Sequence, residues 1–324
     1  MKREWYIGHK FQLYGVEEYV LNKGKGKGSV ILHVKNGLGL ELYINTDRGF
    51  DISMLTYKGD SLSYLSPNGY VASQYYDDKG SGFLKSFTAG FLTTCGLTQV
   101  GSPNIDSGEE LPLHGTYSNI PCSNYIYEDN NDFIMLKGIV LDETIFSHKL
   151  MLVRKIIISK LTNDIKIIDE ITNNGDQQSP LEILYHINLG YPLLDENLII
   201  ESNSINVEAR NKHAEEYIKM WNKMIPPQEG FEVMCYYHTF KEKEAYFNAY
   251  NSRINKGIKI SFNIDQLSFL TEWKMLGIRD YVLGLEPGNC TADGRKTMRE
   301  KGILEFIESN ETKVKEVNIH IYEK

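Results

Sequence analysis

A chain of 324 residues, 41% hydrophobic and 24% charged, has an ordinary globular composition and can bury a large core without cross-links. Its formal charge of −8 repels phosphate backbones and anionic headgroups, so nucleic acid and membrane surfaces are not expected as partners. Four scattered cysteines, Cys95, Cys122, Cys235 and Cys290, form no CxxC pair, which argues against a zinc ribbon or a disulfide framework. With no apolar h-region after MKREWYIGHK and no apolar run near the ~20 residues of a membrane span, a cytoplasmic protein with reduced thiols is expected.

In chain order, the run NKGKGKGS (22–29) has the glycines and lysines of a phosphate loop but not its spacing, and reads as a basic turn. Residues 30–44 (VILHVKNGLGLELYI) alternate as two strands broken by Asn36-Gly37, a dipeptide suited to the positive φ angles of a tight hairpin. Residues 84–94 are a weak helix candidate. A second hairpin is predicted from LMLVRKIIISKLTNDIKIIDEITNNG, where Asn163-Asp164 separates two β-branched runs. Residues 215–224 could form about two helical turns before Pro226-Pro227 ends them. Further strands are predicted at 231–240, 245–250, 257–262, 267–274, 281–286 and 314–322. Many short strands, few short helices and no dividing linker predict a mainly β, antiparallel sandwich in one domain, residues 1–324.

Cys235 and His238 have ligand-like spacing, but a strand puts residues three apart on opposite faces, so they are not expected to share a metal. His148, His213 and His320 sit in polar or strand contexts and read as surface or structural histidines.

Three segments place polar groups in glycine-rich or apolar surroundings. They are GEELPLHGTYSNIP with His114, LEILYHINLGYPLLDE with His186 and Asn188, and YVLGLEPGN with Glu286. An ionisable side chain ending an apolar strand is costly to bury unless paired or used. Each alone is also compatible with a core histidine or a turn glutamate. Together, two histidines and a carboxylate are the set that proton transfer near neutral pH requires.

In order and setting these segments resemble the aldose 1-epimerase (galactose mutarotase) superfamily, specifically its domain-of-unknown-function 4432 branch. DRGFDISMLTYKG (47–59), LSYLSPNG (62–69), GFLKSFTAGFLTTCGLTQVG (82–101) and EWKMLG (272–277) are similar to that branch, over about residues 36–290. The resemblance implies a galactose-mutarotase-like supersandwich whose concave side binds a monosaccharide. It implies Glu286 as the base on the anomeric hydroxyl, His186 as the acid on the ring oxygen, and His114 as the group that polarises that region. No metal or organic cofactor is implied. Tyr185, Tyr191 and Trp273 are candidate platforms for the sugar's C–H face.

The superfamily's arginine before the Leu-His-Gly phrase has no counterpart here, and its hydroxyl-gathering aspartate has no clean one. Arg48, Lys85 and Lys274 are the candidate replacement cations, Asp265 is a positional candidate for the aspartate, and Asn188 and Tyr191 complete the expected substrate-binding set. Arg279 and Arg295 flank the Glu286 phrase and are equally compatible with surface charge. Loss of the superfamily's hydroxyl-binding pair suggests a substrate other than galactose or glucose, a ketose, pentose, sugar acid or sugar phosphate all being compatible, and cations at the pocket would favour an anion. The expected activity is anomer interconversion of a small carbohydrate, and a homodimer is compatible with an enzyme of this size. The alternatives are a carbon epimerase or aldose–ketose isomerase acting on the opened sugar, and a non-catalytic sugar-binding protein.

Overall fold

The computed structural model describes residues 3–324. A six-stranded antiparallel sheet contains β1 (Leu92–Leu97), β2 (Glu182–Leu189), β3 (Asn206–Ala209), β4 (Met234–Thr239), β5 (Phe269–Leu276) and β6 (Tyr281–Gly288), in spatial order β3-β4-β5-β6-β2-β1. An eight-stranded sheet runs from Asn124–Asp129 at one edge to Leu198–Ser202 at the other, and a five-stranded sheet spans Tyr14–Val20 to Asp60–Ser61. Inner faces of all three contribute to one apolar core.

The strand pattern explains the layering. Lys149–Ser159 alternates fully buried residues (Leu150, Leu152, Ile156, Ile158) with half-buried ones, so one face lies on the core and the other toward water. Each such Leu or Ile contributes about 1.5–3 kcal/mol by leaving water. β2 differs, because all of its residues are buried. Its second face is therefore covered, and a covered polar face is where a site can form.

Three sheets meet on one charge. Arg154, with no solvent exposure, lies on the eight-stranded sheet opposite Asp169 and binds it through Nε–Oδ1 (2.9 Å) and Nη2–Oδ2 (2.6 Å). Its Nη1 donates to Asp51 Oδ1 of the five-stranded sheet (2.5 Å), and Nη2 to Thr94 Oγ1 on β1 (2.8 Å). The Tyr185 hydroxyl on β2 donates to Asp169 Oδ2 (2.8 Å), while the Thr94 amide and hydroxyl donate to Asp51.

Most predicted strands are present, including Lys149–Ser159 paired with Asp164–Asn173. The first hairpin, Val30–Asn36 with Leu40–Asn45, turns differently from expectation. Gly37 and Gly39 take the positive φ angles, while the Asn36 side chain accepts the Leu38 and Leu40 amides and holds a wider loop. The helix expected over 84–94 is a 3-10 turn, Gly82–Lys85, followed by a two-residue strand, Ala89–Gly90, and then β1, because its apolar residues are claimed by sheets. Within 215–224 the structure has the end of a short helix, Lys212–Glu216, and a 3-10 turn, Ile218–Met220. Among the described residues no helix is long and apolar enough to cross a membrane.

Removing Arg154 would strand two buried carboxylates. Arg154→Met is expected to destabilise the fold by about 3–5 kcal/mol in urea unfolding. A loss below ~1 kcal/mol would contradict the assigned role.

Candidate active site

Period-two alternation sorts the residues of the six-stranded sheet. On β2, Tyr185 points into the Arg154 network and His186 points the opposite way. On β5, Glu272 and Lys274 share one face and Thr271 and Trp273 the other. The pairs Leu184–Gly288 and Ile187–Leu285 set His186 directly opposite Glu286 of β6. His186 Nε2 lies 3.1 Å from Glu286 Oε1, yet the contact is not aligned as a hydrogen bond, and Oε1 and His186 Nδ1 have no hydrogen-bonding partner among the described residues. Gly284, two residues before Glu286 on the same face, leaves the carboxylate its room: a Cβ there would sit 2.3 Å from Oε1.

His114 enters from a loop. Its backbone is left-handed (φ 60°), and its amide donates to Gly101 O (2.9 Å). The Gly101 amide donates back to His114 Nδ1 (3.3 Å), so the neutral ring carries its proton on Nε2. Gly101 itself has φ 81°, and a Cβ there would collide with Ala292 O at 2.1 Å. The His114 and His186 rings are 5.7 Å apart, edge to face.

These groups line a cavity of about 240 Å³. Phe83, Phe87 and Leu113 form one wall, and Trp273 stands edge-on to His186 at 5.5 Å. The cavity's cation is Arg210, just past β3. Its Nε donates to Asp293 Oδ1 (2.9 Å) and its Nη2 to Ser102 Oγ (2.9 Å) and Ala292 O (3.0 Å). The Tyr237 hydroxyl donates to the same Asp293 oxygen (2.7 Å).

The Arg210–Asp293 pair stands where the sequence led to Arg48, Lys85 or Lys274 as the cation and Asp265 as the aspartate. The strand signal at 206–209 is short, and nothing local marks Arg210 as returning to the site. The expected cations lie elsewhere. Arg48 is buried, but its guanidinium caps the carbonyls of Ser118, Val71 and Ser86. Lys85 is exposed and paired with Asp77 at 2.7 Å. Lys274 is on the opposite face of β5, paired with Glu272 and donating to the Trp221 carbonyl. Asp265 is exposed beside Lys243, and Tyr191 is 67% exposed with its ring against Arg253. Asn188 is buried next to His186, donating to its carbonyl (2.9 Å), but does not line the cavity. Tyr185 belongs to the Arg154 network, and Arg295 is spent on Asp106 and Glu109. Cys235 faces the cavity while His238 pairs with Glu272 on the other side, as the strand period requires.

Burial sets the protonation of the site. Desolvation raises the Glu286 carboxyl well above the carboxylate range, against the pull of Arg210. It lowers His186 well below the imidazole range, with His114 adding to the effect. His114 is lowered to about 4 by burial and, secondarily, by Arg210. A larger cleft of about 730 Å³ lies between the 145–149 and 175–180 segments, but it brings together no comparable acid–base pair. Among the described residues no group of three or more His, Cys, Asp or Glu side chains is arranged to hold a metal ion.

The depressed His114 pKa links stability to pH. The unfolded chain takes up a proton near the ordinary 6.5, whereas the folded site resists until about 4. Stability from this residue is therefore complete above 6.5 and falls by about 3 kcal/mol as pH drops to 4. His114→Asn, which tolerates the left-handed backbone, should flatten the fall in Tm over that interval. An unchanged slope would contradict the assignment.

Comparison with known proteins agrees with the architecture. A provisionally assigned aldose 1-epimerase from Klebsiella pneumoniae superposes with a TM-score of 0.89 at 24% identity, covering 97% of this chain and 86% of that one. A galactose mutarotase-like protein from Clostridium acetobutylicum gives 0.69 at 11% identity, covering 97% and 100%. Galactose 1-epimerase from Lactobacillus acidophilus gives 0.64 at 12% identity, covering 96% and 99%. At these identities the likeness establishes the galactose-mutarotase-like fold. No curated protein matches the sequence. The profile described as "Domain of unknown function (DUF4432)" matches residues 26–321, and the chain belongs to that family.

Proposed function

We propose that this protein is an aldose 1-epimerase-type isomerase, interconverting the anomers of a monosaccharide by Glu286/His186 acid–base ring opening. The observation that carries the proposal is the buried Glu286–His186 contact, 3.1 Å apart and not hydrogen-bonded, facing a cavity of about 240 Å³. That volume lies below the ~300–1,000 Å³ of drug-sized ligand sites and is on the scale of one sugar ring.

The chemistry needs one proton removed and one delivered. Glu286 takes the anomeric hydroxyl proton as the bond from C1 to the ring oxygen breaks, and His186 delivers a proton to that oxygen. Rotation about C1–C2 presents the other carbonyl face, and the reverse transfers close the ring to the second anomer. The pair thus begins as carboxylate and imidazolium, becomes carboxylic acid and imidazole while the chain is open, and returns. Burial favours the uncharged form of each partner, which is the form that accompanies the open chain. His114 contributes a fixed Nε2–H donor, and Arg210 favours the ionised Glu286 that the closed sugar requires. Trp273 supplies an apolar face.

Arg210 is balanced by Asp293, and the expected cations Arg48, Lys85 and Lys274 are engaged elsewhere, which favours an uncharged sugar over a sugar acid or phosphate.

Saturation-transfer NMR in deuterated buffer should reveal anomer exchange without deuterium entering any C–H bond. Glu286→Gln should slow it by about 10²–10⁴-fold. Deuterium in a C–H bond would replace this reading with carbon epimerisation or aldose–ketose isomerisation. Gly284→Ala should cost on the order of 10²-fold by displacing the carboxylate, with little change in Tm. Full activity in that variant would contradict the close-packed Glu286 geometry.

A further inference from the structure

Resting on the anomer exchange proposed above, we propose that the site selects pyranoses whose ring carbon beside the ring oxygen bears a methyl group or hydrogen instead of a hydroxymethyl group, that is, 6-deoxyhexoses and pentoses. The order of strands beneath the sugar sets the direction in which its ring lies. Glu286 on β6 receives the anomeric hydroxyl and His186 on the neighbouring β2 the ring oxygen. The path from C1 through the ring oxygen to the next carbon therefore runs from β6 across β2 and onward.

That direction ends on an apolar wall. The Phe87 ring lies 5.4 Å from His186, Phe83 lies 5.0 Å from Phe87 and 5.2 Å from His114, and Leu113 packs against the same cluster. None of these side chains can hydrogen-bond. Thr93, opposite His186 on β1, donates its hydroxyl to Ala89 O (2.7 Å) and does not line the cavity. The Nε2–H of His114 is taken by the ring-oxygen region it polarises.

The other ring carbons face back across β5 and β4, where polar groups are free. Among the described residues Thr271 Oγ1 is buried without a partner, and the Arg210 side chain, beyond β4, donates hydrogen bonds through Nε and Nη2 alone. Ring hydroxyls find hydrogen bonds on that side. A hydroxymethyl hydroxyl pressed on Phe83 and Phe87 would give up water and gain nothing, whereas a methyl group buries favourably.

The test uses trios of one ring configuration differing only in that substituent: D-galactose, D-fucose and L-arabinose, with the corresponding gluco and manno trios, in both enantiomeric series. In saturation-transfer NMR the methyl or hydrogen member of the preferred trio should exceed the hydroxymethyl member by about 10- to 100-fold in kcat/KM. A hydroxymethyl sugar turned over as fast or faster overturns the proposal. If no trio exchanges, calorimetric titration of the same sugars separates the two claims. Binding selective for the methyl or hydrogen member upholds the selectivity while anomer exchange fails; unselective binding, or none, overturns the selectivity as well.

Discussion

A guanidinium with no access to water must be surrounded by its partners, and around Arg154 those partners come from three different sheets. Asp169 is its neighbour on the same sheet, but Asp51 and Thr94 have to be brought to it, and bringing them fixes how the sheets face one another. Asp51 shows the strain between burial and pairing: desolvation pushes it up to about 6 although Arg154 pulls the other way. Such a cluster is a poor source of net stability and a strict condition on geometry, since any sheet that slips leaves a charge alone.

The consequence for chemistry lies one residue away. Tyr185 reaches the cluster through Asp169, and its successor His186 is on the opposite side of the same strand. Anchoring Tyr185 therefore aims His186, and the antiparallel register with β6 aims Glu286 at it. Backbone supplies the rest, with Gly284 vacating the space of the carboxylate and Gly101 holding His114 in one tautomer. The site is preorganised by packing on a rigid sheet, and the burial that makes it rigid also sets its protonation.

The sequence showed the strands well because burial on one face leaves an alternating pattern, as in Lys149–Ser159. It showed His114, His186 and Glu286 because each stands out against apolar or glycine-rich neighbours. It did not show Arg210. A cation beside a short strand has no local mark of its destination, and only the sheet order brings it over the cavity. Lys274 misled for a related reason: the EWKMLG phrase lies on the site sheet, but a step of one residue from Trp273 puts Lys274 on the other face. Arg48 is buried, as a pocket cation would be, yet its partners are backbone carbonyls, which leave no trace in a sequence.

The central claim is that burial favours the uncharged forms of Glu286 and His186 in the free protein, the forms that accompany the open chain, and that the closed sugar is bound with the pair as carboxylate and imidazolium. Infrared difference spectroscopy between the native protein and Glu286→Gln at neutral pH addresses it directly. The account predicts a protonated-carboxyl C=O band present in the native protein and lost in the variant. An ionised carboxylate band in its place would contradict it.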